Sequence, residues 1–233
     1  MGDPGEPFRI VIANQLLFAA IAISGALLFG PRVLPRGLLV GRGRLGLARS
    51  AALVIGFVVL SHGLSLLLAQ LRWSETGALA ELGQMVGEMK SAGPPSWLLV
   101  ITALGLAPAI GEELLFRGLI QQTARHWVAP GTAVLISALA FGILHFDLAQ
   151  SSAAFLMGLY LGIAVERSGS LFVAMVAHGL NNTLGVVLPA NAWSGLAPWA
   201  VPLGLGALAA SAAILFVSVG RPAAKTHDSP PGD

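Results

Sequence analysis

"GEELLFRG", Gly111 to Gly118, sets two adjacent carboxylates, Glu112 and Glu113, and one guanidinium, Arg117, inside a long apolar run. Of the 233 residues, 55% are hydrophobic and only 10% are charged. A soluble domain is about a quarter charged. The shortage of charge therefore puts the chain in the membrane class. There, a charge at the bilayer centre costs about 2.5–3.5 kcal/mol or more. Three charges within six residues must face protein or a water-filled cavity, and they must pair. The helix that carries this stretch belongs at the centre of a bundle.

Working outward, a spanning helix needs roughly 20 mostly apolar residues. Seven segments qualify: about Phe8–Gly30, Ser50–Leu71, Trp97–Gln121, Gly131–Phe146, Ala149–Val165, Leu171–Leu188 and Trp199–Val219. The fourth, fifth and sixth are short, and "FDLAQSS" is the turn signal that separates the fourth from the fifth. The expected fold class is all-α, a polytopic membrane helix bundle with about seven spans and a polar site within the membrane. Between Arg72 and Pro95, Leu79, Leu82, Val86 and Met89 recur at helical spacing opposite Glu81, Gln84 and Glu88. That pattern fits an amphipathic helix in the membrane interface, or a helix packed on the bundle. The expected organisation is residues 1–96 as N-terminal spans plus this segment, 97–188 as the core that carries the intramembrane charges, 189–220 as a C-terminal span, and 221–233 as a disordered, proline-rich tail.

Basic residues orient the chain. Arg32, Arg36, Arg42, Arg44, Arg49, Arg125, Arg167, Arg221 and Lys225 fall on one side, against Arg9, Arg72 and Lys90 on the other. The positive-inside rule makes the first side cytoplasmic. The net charge of +2 rests on few groups and gives no reason to expect nucleic acid as a partner. The lipid bilayer is the expected partner. No cysteine is present, which excludes thiol catalysis and thiolate metal ligands. The start, "MGDPGEPFR", lacks the basic n-region of a secretory signal.

Few ionisable groups lie well within the spans: His62, Glu112, Glu113, Arg117, His145 and His178, joined by Asn181 and Asn182. Glu113 and Arg117 are four residues apart and share a helix face, a natural ion pair. Glu112 is turned by about 100° and stays available as a base. Phe141 and His145 share a face, as do His178 and Asn182, while Asn181 points elsewhere. Three helices thus each offer a polar face, and Glu112, His145 and His178 can converge on one cavity. Taken singly, each has a structural reading. His62 reads as a hydrogen bond between helices. Asn182 alone would be interhelical glue, and Glu113–Arg117 a pair that fixes one helix. Gly158 and Gly162 read as close packing inside the bundle.

In combination, E-E-x-x-x-R, F-x-x-x-H and H-x-x-x-N, in that order on successive membrane helices, resemble the CPBP family. This family comprises the type II CAAX prenyl endopeptidases and their bacteriocin-processing relatives, also called the ABI family. The motifs here are Glu112-Glu113…Arg117, Phe141…His145 and His178…Asn182, complete at every motif position, within roughly Trp97–Leu188. The resemblance implies an intramembrane endopeptidase with a cavity open to the cytoplasm and a peptide or membrane-protein substrate, prenylated if it is of the CAAX type. It implies that Glu112 and His145 activate water, that His178 and Asn182 stabilise the oxyanion, and that Glu113 and Arg117 hold the site in shape. It leaves the cofactor open between zinc and none. Glu112, His145 and His178 would make a His₂Glu zinc set with one open position. With Glu112 on the metal and Glu113 on Arg117, however, no carboxylate would remain as base, and no H-E-x-x-H occurs. Direct activation of water by Glu112 and His145 is the preferred reading. Two other classes stay in view. A proton-coupled transporter would carry polar lining along a whole path, whereas these groups cluster on three helices. A non-catalytic scaffold or immunity-like protein would tolerate loss of Glu112.

Overall fold

A computed structural model describes residues 3, 5–34, 36–41, 43–70, 78–91, 93–145, 148–188 and 194–219. They form α1 (Glu6–Val33), α2 (Leu47–Gln70), α3 (Ala78–Ser91), a long rod α4 (Ser96–Trp127), α5 (Pro130–Ile143), α6 (Leu148–Ser168), α7 (Leu171–Val187) and α8 (Ala200–Val219). No strand occurs among the described residues. The protein is an all-α membrane bundle. Among the described residues, five helices are long and apolar enough to cross a bilayer, and the apolar α5 and α7 are shorter. The side chains are sorted inside out. Leu27, Leu28 and Phe216 are about 80% exposed, whereas Glu113, Arg117 and Gln121 are fully buried. That sorting suits a surrounding solvent as apolar as leucine.

All seven apolar segments are helical, but the ends differ from the sequence reading. The third span runs on to Trp127 and the fifth to Ser168. The fourth stops at Ile143, so His145 lies in the turn beyond the helix and not on it. The turn signal at Phe146 and Asp147, the tail, and Arg42, Arg72, Arg221 and Lys225 lie outside the described residues. So do the side chains of Leu79, Glu81 and Leu82. The rest of the amphipathic pattern is packed on the bundle. Met85, Val86 and Met89 of α3 join Phe8, Val100, Ala103 and Val186 in one apolar cluster.

α4 is the axis of the fold, packed against α1, α5 and α7. It is not a uniform helix. Wider π turns at Ile101–Leu106 and Leu114–Ile120 flank the ordinary turns of Ala107–Glu113. Pro108 accounts for the first: it has no N–H to give, and its ring crowds the carbonyl four residues back. The backbone widens there, and the Ala107 N–H reaches back five residues to Thr102. In the second, the Gln121 N–H reaches back to Phe116. Side chains bond the same region: Ser137 Oγ donates to the Phe116 carbonyl at 2.8 Å and Gln122 Nε2 to the Arg117 carbonyl at 3.1 Å. π turns recur at functional sites, and both glutamates sit between these two.

Small residues set the helix spacing. A Cβ at Gly158 would lie 3.1 Å from Ala138 Cα, and one at Gly162 would lie 2.9 Å from Val134 Cγ1. This small-residue pair of α6 is therefore spent on α5, inside the molecule. At one end of the bundle, Arg36 and Arg125 both donate to Glu166 Oε1, at 2.8 and 3.1 Å. The Leu171 N–H bonds the Leu39 carbonyl. The first loop, the end of α4 and the end of α6 thus meet, as the charge count requires.

Gly111 tests this packing. A Cβ there would come 2.5 Å from the backbone oxygen of Gln15, whereas one at Gly131 would meet nothing within 4 Å. Gly111→Ala should destabilise the protein by about 1–3 kcal/mol, while Gly131→Ala should not lower stability. Thermal unfolding of the two purified variants checks the contrast.

Candidate active site

The site is built on one fully buried carboxylate. Glu113 Oε1 accepts from Arg117 Nη1 at 2.8 Å and from His178 Nδ1 at 2.9 Å. Glu113 and Arg117 have no exposed side-chain surface, and His178 has only 5%. The ion pair lies within α4, one turn apart, and His178 joins it to α7. Phe141 of α5 covers the assembly. Its ring centroid lies 4.4 Å from Arg117 Cζ, 6.0 Å from the His178 ring and 5.0 Å from the His145 ring. Glu113 Oε2 and Arg117 Nε and Nη2 find no hydrogen-bond partner among the described residues. The aromatic face is the compensation the guanidinium has there.

A carboxylate oxygen can only accept from a ring N–H, so His178 carries a proton on Nδ1. Its other nitrogen, Nε2, points toward the second carboxylate and lies 3.9 Å from Glu112 Oε2. Glu112 is turned away from the ion pair, with 15% of its side chain exposed. Together with His145 it lines a cavity of about 500 Å³, whose other walls include Asn14 and Phe18 of α1, Phe116, Phe141 and Gln150. The same argument fixes the His145 tautomer. Its Nδ1 lies 2.9 Å from the Phe141 carbonyl. That oxygen is among the last of α5, where a helix leaves carbonyls without intrahelical partners. His145 thus caps α5 by donating from Nδ1, and Nε2 is left as the basic nitrogen. A helix of 14 residues is about 21 Å long, well short of the roughly 30 Å hydrocarbon core. The shortness of α5 is what brings His145 alongside Glu112, midway along α4.

The expected convergence is therefore only partial. Glu112 and His145 share the cavity, whereas His178 and Asn182 are not among its lining residues. His178 Nε2 comes within 3.9 Å of Glu112 Oε2, and Asn182 follows one turn along α7. Asn182 Oδ1 accepts from Asn181 Nδ2 at 3.3 Å, so Asn181 faces its neighbour and is buried. His62 stands away from this cluster on α2, its Nδ1 bonded to the Val58 carbonyl of the same helix. One contributor went unread in the sequence. Gln15 of α1 donates from Nε2 to Glu112 Oε1 at 3.0 Å. The available signal was an amide within an apolar span, which must find a partner there.

Zinc is the metal this donor set would suit, and its fit can be tested on the donors. Among the described residues, no three His, Asp or Glu side chains are grouped so as to hold a metal ion. His178 Nε2 faces Glu112 while Glu113 holds its Nδ1, but as arranged Glu112, His145 and His178 do not close around one metal position.

Residues 94–184, less than half of the chain, match the family model described as type II CAAX prenyl endopeptidase Rce1-like. This segment is similar to the Rce1-like family. The family so described is one of CAAX-type endopeptidases, hydrolases of protein or peptide substrates, and that is what residues 94–184 are similar to. The Rce1-like segment takes in α4 to α6 and most of α7, and with them Glu112, Glu113, Arg117, His145, His178 and Asn182. It leaves out α1. No curated protein and no solved structure matches the chain.

Removing one member of a buried pair strands the other's charge, at a cost of about 3–5 kcal/mol. Arg117→Met should lower stability by that order. Glu113→Gln/Arg117→Met, which removes both charges, should recover a substantial part. Denaturant or thermal unfolding of the two variants beside the wild-type protein measures the difference.

Proposed function

We propose that this Rce1-like protein hydrolyses a peptide bond within the membrane, with Glu112 and His145 activating the attacking water. The observation that supports this most is the division between the two adjacent glutamates. Glu113 is consumed by Arg117 and His178. Glu112 is left facing a cavity with His145. A cavity of that size and polarity has room for water.

Water held between Glu112 and His145 Nε2 gives up a proton to this pair as its oxygen attacks the scissile carbonyl carbon. The carbonyl oxygen takes the negative charge of the tetrahedral intermediate. Asn182, whose own oxygen is engaged, offers its Nδ2 to that oxyanion, and His178, oriented through Nδ1 by Glu113, donates from Nε2 when that nitrogen also carries a proton. The intermediate collapses by breaking the C–N bond, and the proton taken from water goes to the leaving amine. The products are a carboxylate and an amine. Glu113 and Arg117 act through others, by fixing His178 and the Phe141 face. No step is routed through a metal.

The basic end of the bundle, where Arg36, Arg44 and Arg125 gather on Glu166, is assigned to the cytoplasm by the positive-inside rule. Thirteen residues of helix separate Arg125 from Glu112, a rise of about 20 Å. Between the two levels lies a second cavity of about 460 Å³, walled by Phe29, Leu119, Ile120, Thr123, Ala124 and Ile136. It offers an apolar surface between α1, α4 and α5, on the side of Glu112 that faces the basic end. A peptide end that carries a prenyl group has the chemistry to use that surface.

Glu112→Gln keeps the size of the side chain and removes the base. It should cut hydrolysis by about 10²–10⁴-fold without loss of membrane abundance. New protein termini in the native host, compared between wild type and Glu112→Gln by mass spectrometry, read the loss and the cleavage site together. Identical termini would move the assignment to a scaffold, or to a proton-coupled transporter with Glu112 as the relay. The orientation has its own test, because the chain holds no cysteine. In intact cells a membrane-impermeant maleimide should label Ser91→Cys and spare Gly41→Cys.

A further inference from the structure

α1 lies outside the Rce1-like segment, yet it supplies a wall of the cavity. Leu16 and Leu17 of α1 are 66% and 56% exposed to the bilayer side, while Gln15 beside them is only 6% exposed. A leucine there would anchor the helix at lower cost, since an amide in hydrocarbon must find a partner. The partner it finds is Glu112 Oε1, 97 residues away. The approach depends on Gly111, the residue before Glu112, against which the Gln15 backbone lies too close for any Cβ. Asn14, the next residue on α1, lines the same cavity as Glu112 and His145.

We propose that Gln15 is a positioning residue for Glu112, and that α1 is a functional part of the active site. This rests on the reading of Glu112 as the base. A glutamate reaches its water through three rotatable bonds, and a base is effective only within hydrogen-bond reach of the proton it takes. Within α4 itself, nothing among the described contacts holds the Glu112 carboxylate. Gln15 holds Oε1 from a second helix, and this leaves Oε2 on the side of His178 Nε2, 3.9 Å away. One oxygen is fixed by the amide and the other is presented to the chemistry. Misplacement of a reacting group by about 1 Å can cost about a hundredfold in rate.

The test uses the full chain, purified in nanodiscs, with a quenched fluorescent farnesylated peptide as the probe. Gln15→Met keeps the volume and loses the donor. It should lower kcat by roughly tenfold to a hundredfold, the range set by a hydrogen bond to a charged group, with KM within about twofold, the split expected when an interaction of the transition state alone is lost. Gln15→Asn, too short to reach, should do the same and serves if the methionine variant folds poorly. A packing role would be retained by methionine, so unchanged kcat overturns the proposal. A raised KM at constant kcat overturns it as well, in favour of substrate binding. A second arm needs no substrate. Gln15→Met should lower the melting temperature more in the wild-type background than in Glu112→Ala, where the contact is already gone. Equal shifts would overturn the contact. If the wild-type protein cleaves no farnesylated peptide while the shifts remain unequal, the contact stands. The reading of Glu112 as base for that substrate then falls, and the positioning role falls with it.

Discussion

The buried Glu113–Arg117 pair is the constraint from which the rest of the site follows. Neither side chain has any exposed surface, so neither charge can be relieved by water. Each needs the other, and both need further partners. Glu113 takes its second hydrogen bond from His178, and this binds α7 to α4. Arg117 takes the face of Phe141, and this binds α5. Gly158 of α6 leaves space beside the guanidinium, where a Cβ would lie 3.2 Å from Nη2. Three helices are thus held in register by one ion pair, and α6 packs close beside it. The arrangement is specific because the alternative is so unfavourable. Any shift that separates the two groups strands a charge in a medium where few others can answer it.

Two identical side chains in sequence then do opposite work. The helix turns successive residues by about 100°, so Glu113 faces the bundle and Glu112 faces the cavity. The first is neutralised and fixed, and the second keeps an oxygen toward open space. Placing pairs of titratable groups in contrasting environments is a general way to divide structural and chemical roles. The π turns on either side of Ala107–Glu113 add to this. They shift the register of α4 relative to its neighbours without breaking the rod.

Depth in the membrane is set by helix length. α5 ends early, so the turn that holds His145 stays level with the middle of α4. Such non-helical backbone is tolerated at depth only where protein or a cavity receives it. The His145 ring answers part of that need by capping the Phe141 carbonyl, and the cap in turn selects the ring nitrogen presented to the cavity. The boundary of the Rce1-like segment is therefore not the boundary of the site. α1 lies outside the match and still reaches the carboxylate through Gln15.

Local pattern carried the sequence reading a long way. Hydropathy located every apolar helix, because a bilayer demands long runs of apolar residues. Helical spacing paired Glu113 with Arg117 and set Glu112 apart, because those relations depend only on the turn of one helix. Charge asymmetry grouped the first loop with the ends of α4 and α6. What spacing within a helix does not encode is which helices meet. The hydrogen bond from Gln15 to Glu112, the choice of Glu113 over Glu112 as partner of His178 Nδ1, and the approach of His178 Nε2 to Glu112 all join distant segments. So does the seating of α3 on the bundle. These features follow from side chains brought together by close packing of separate helices, and only the tertiary structure decides them.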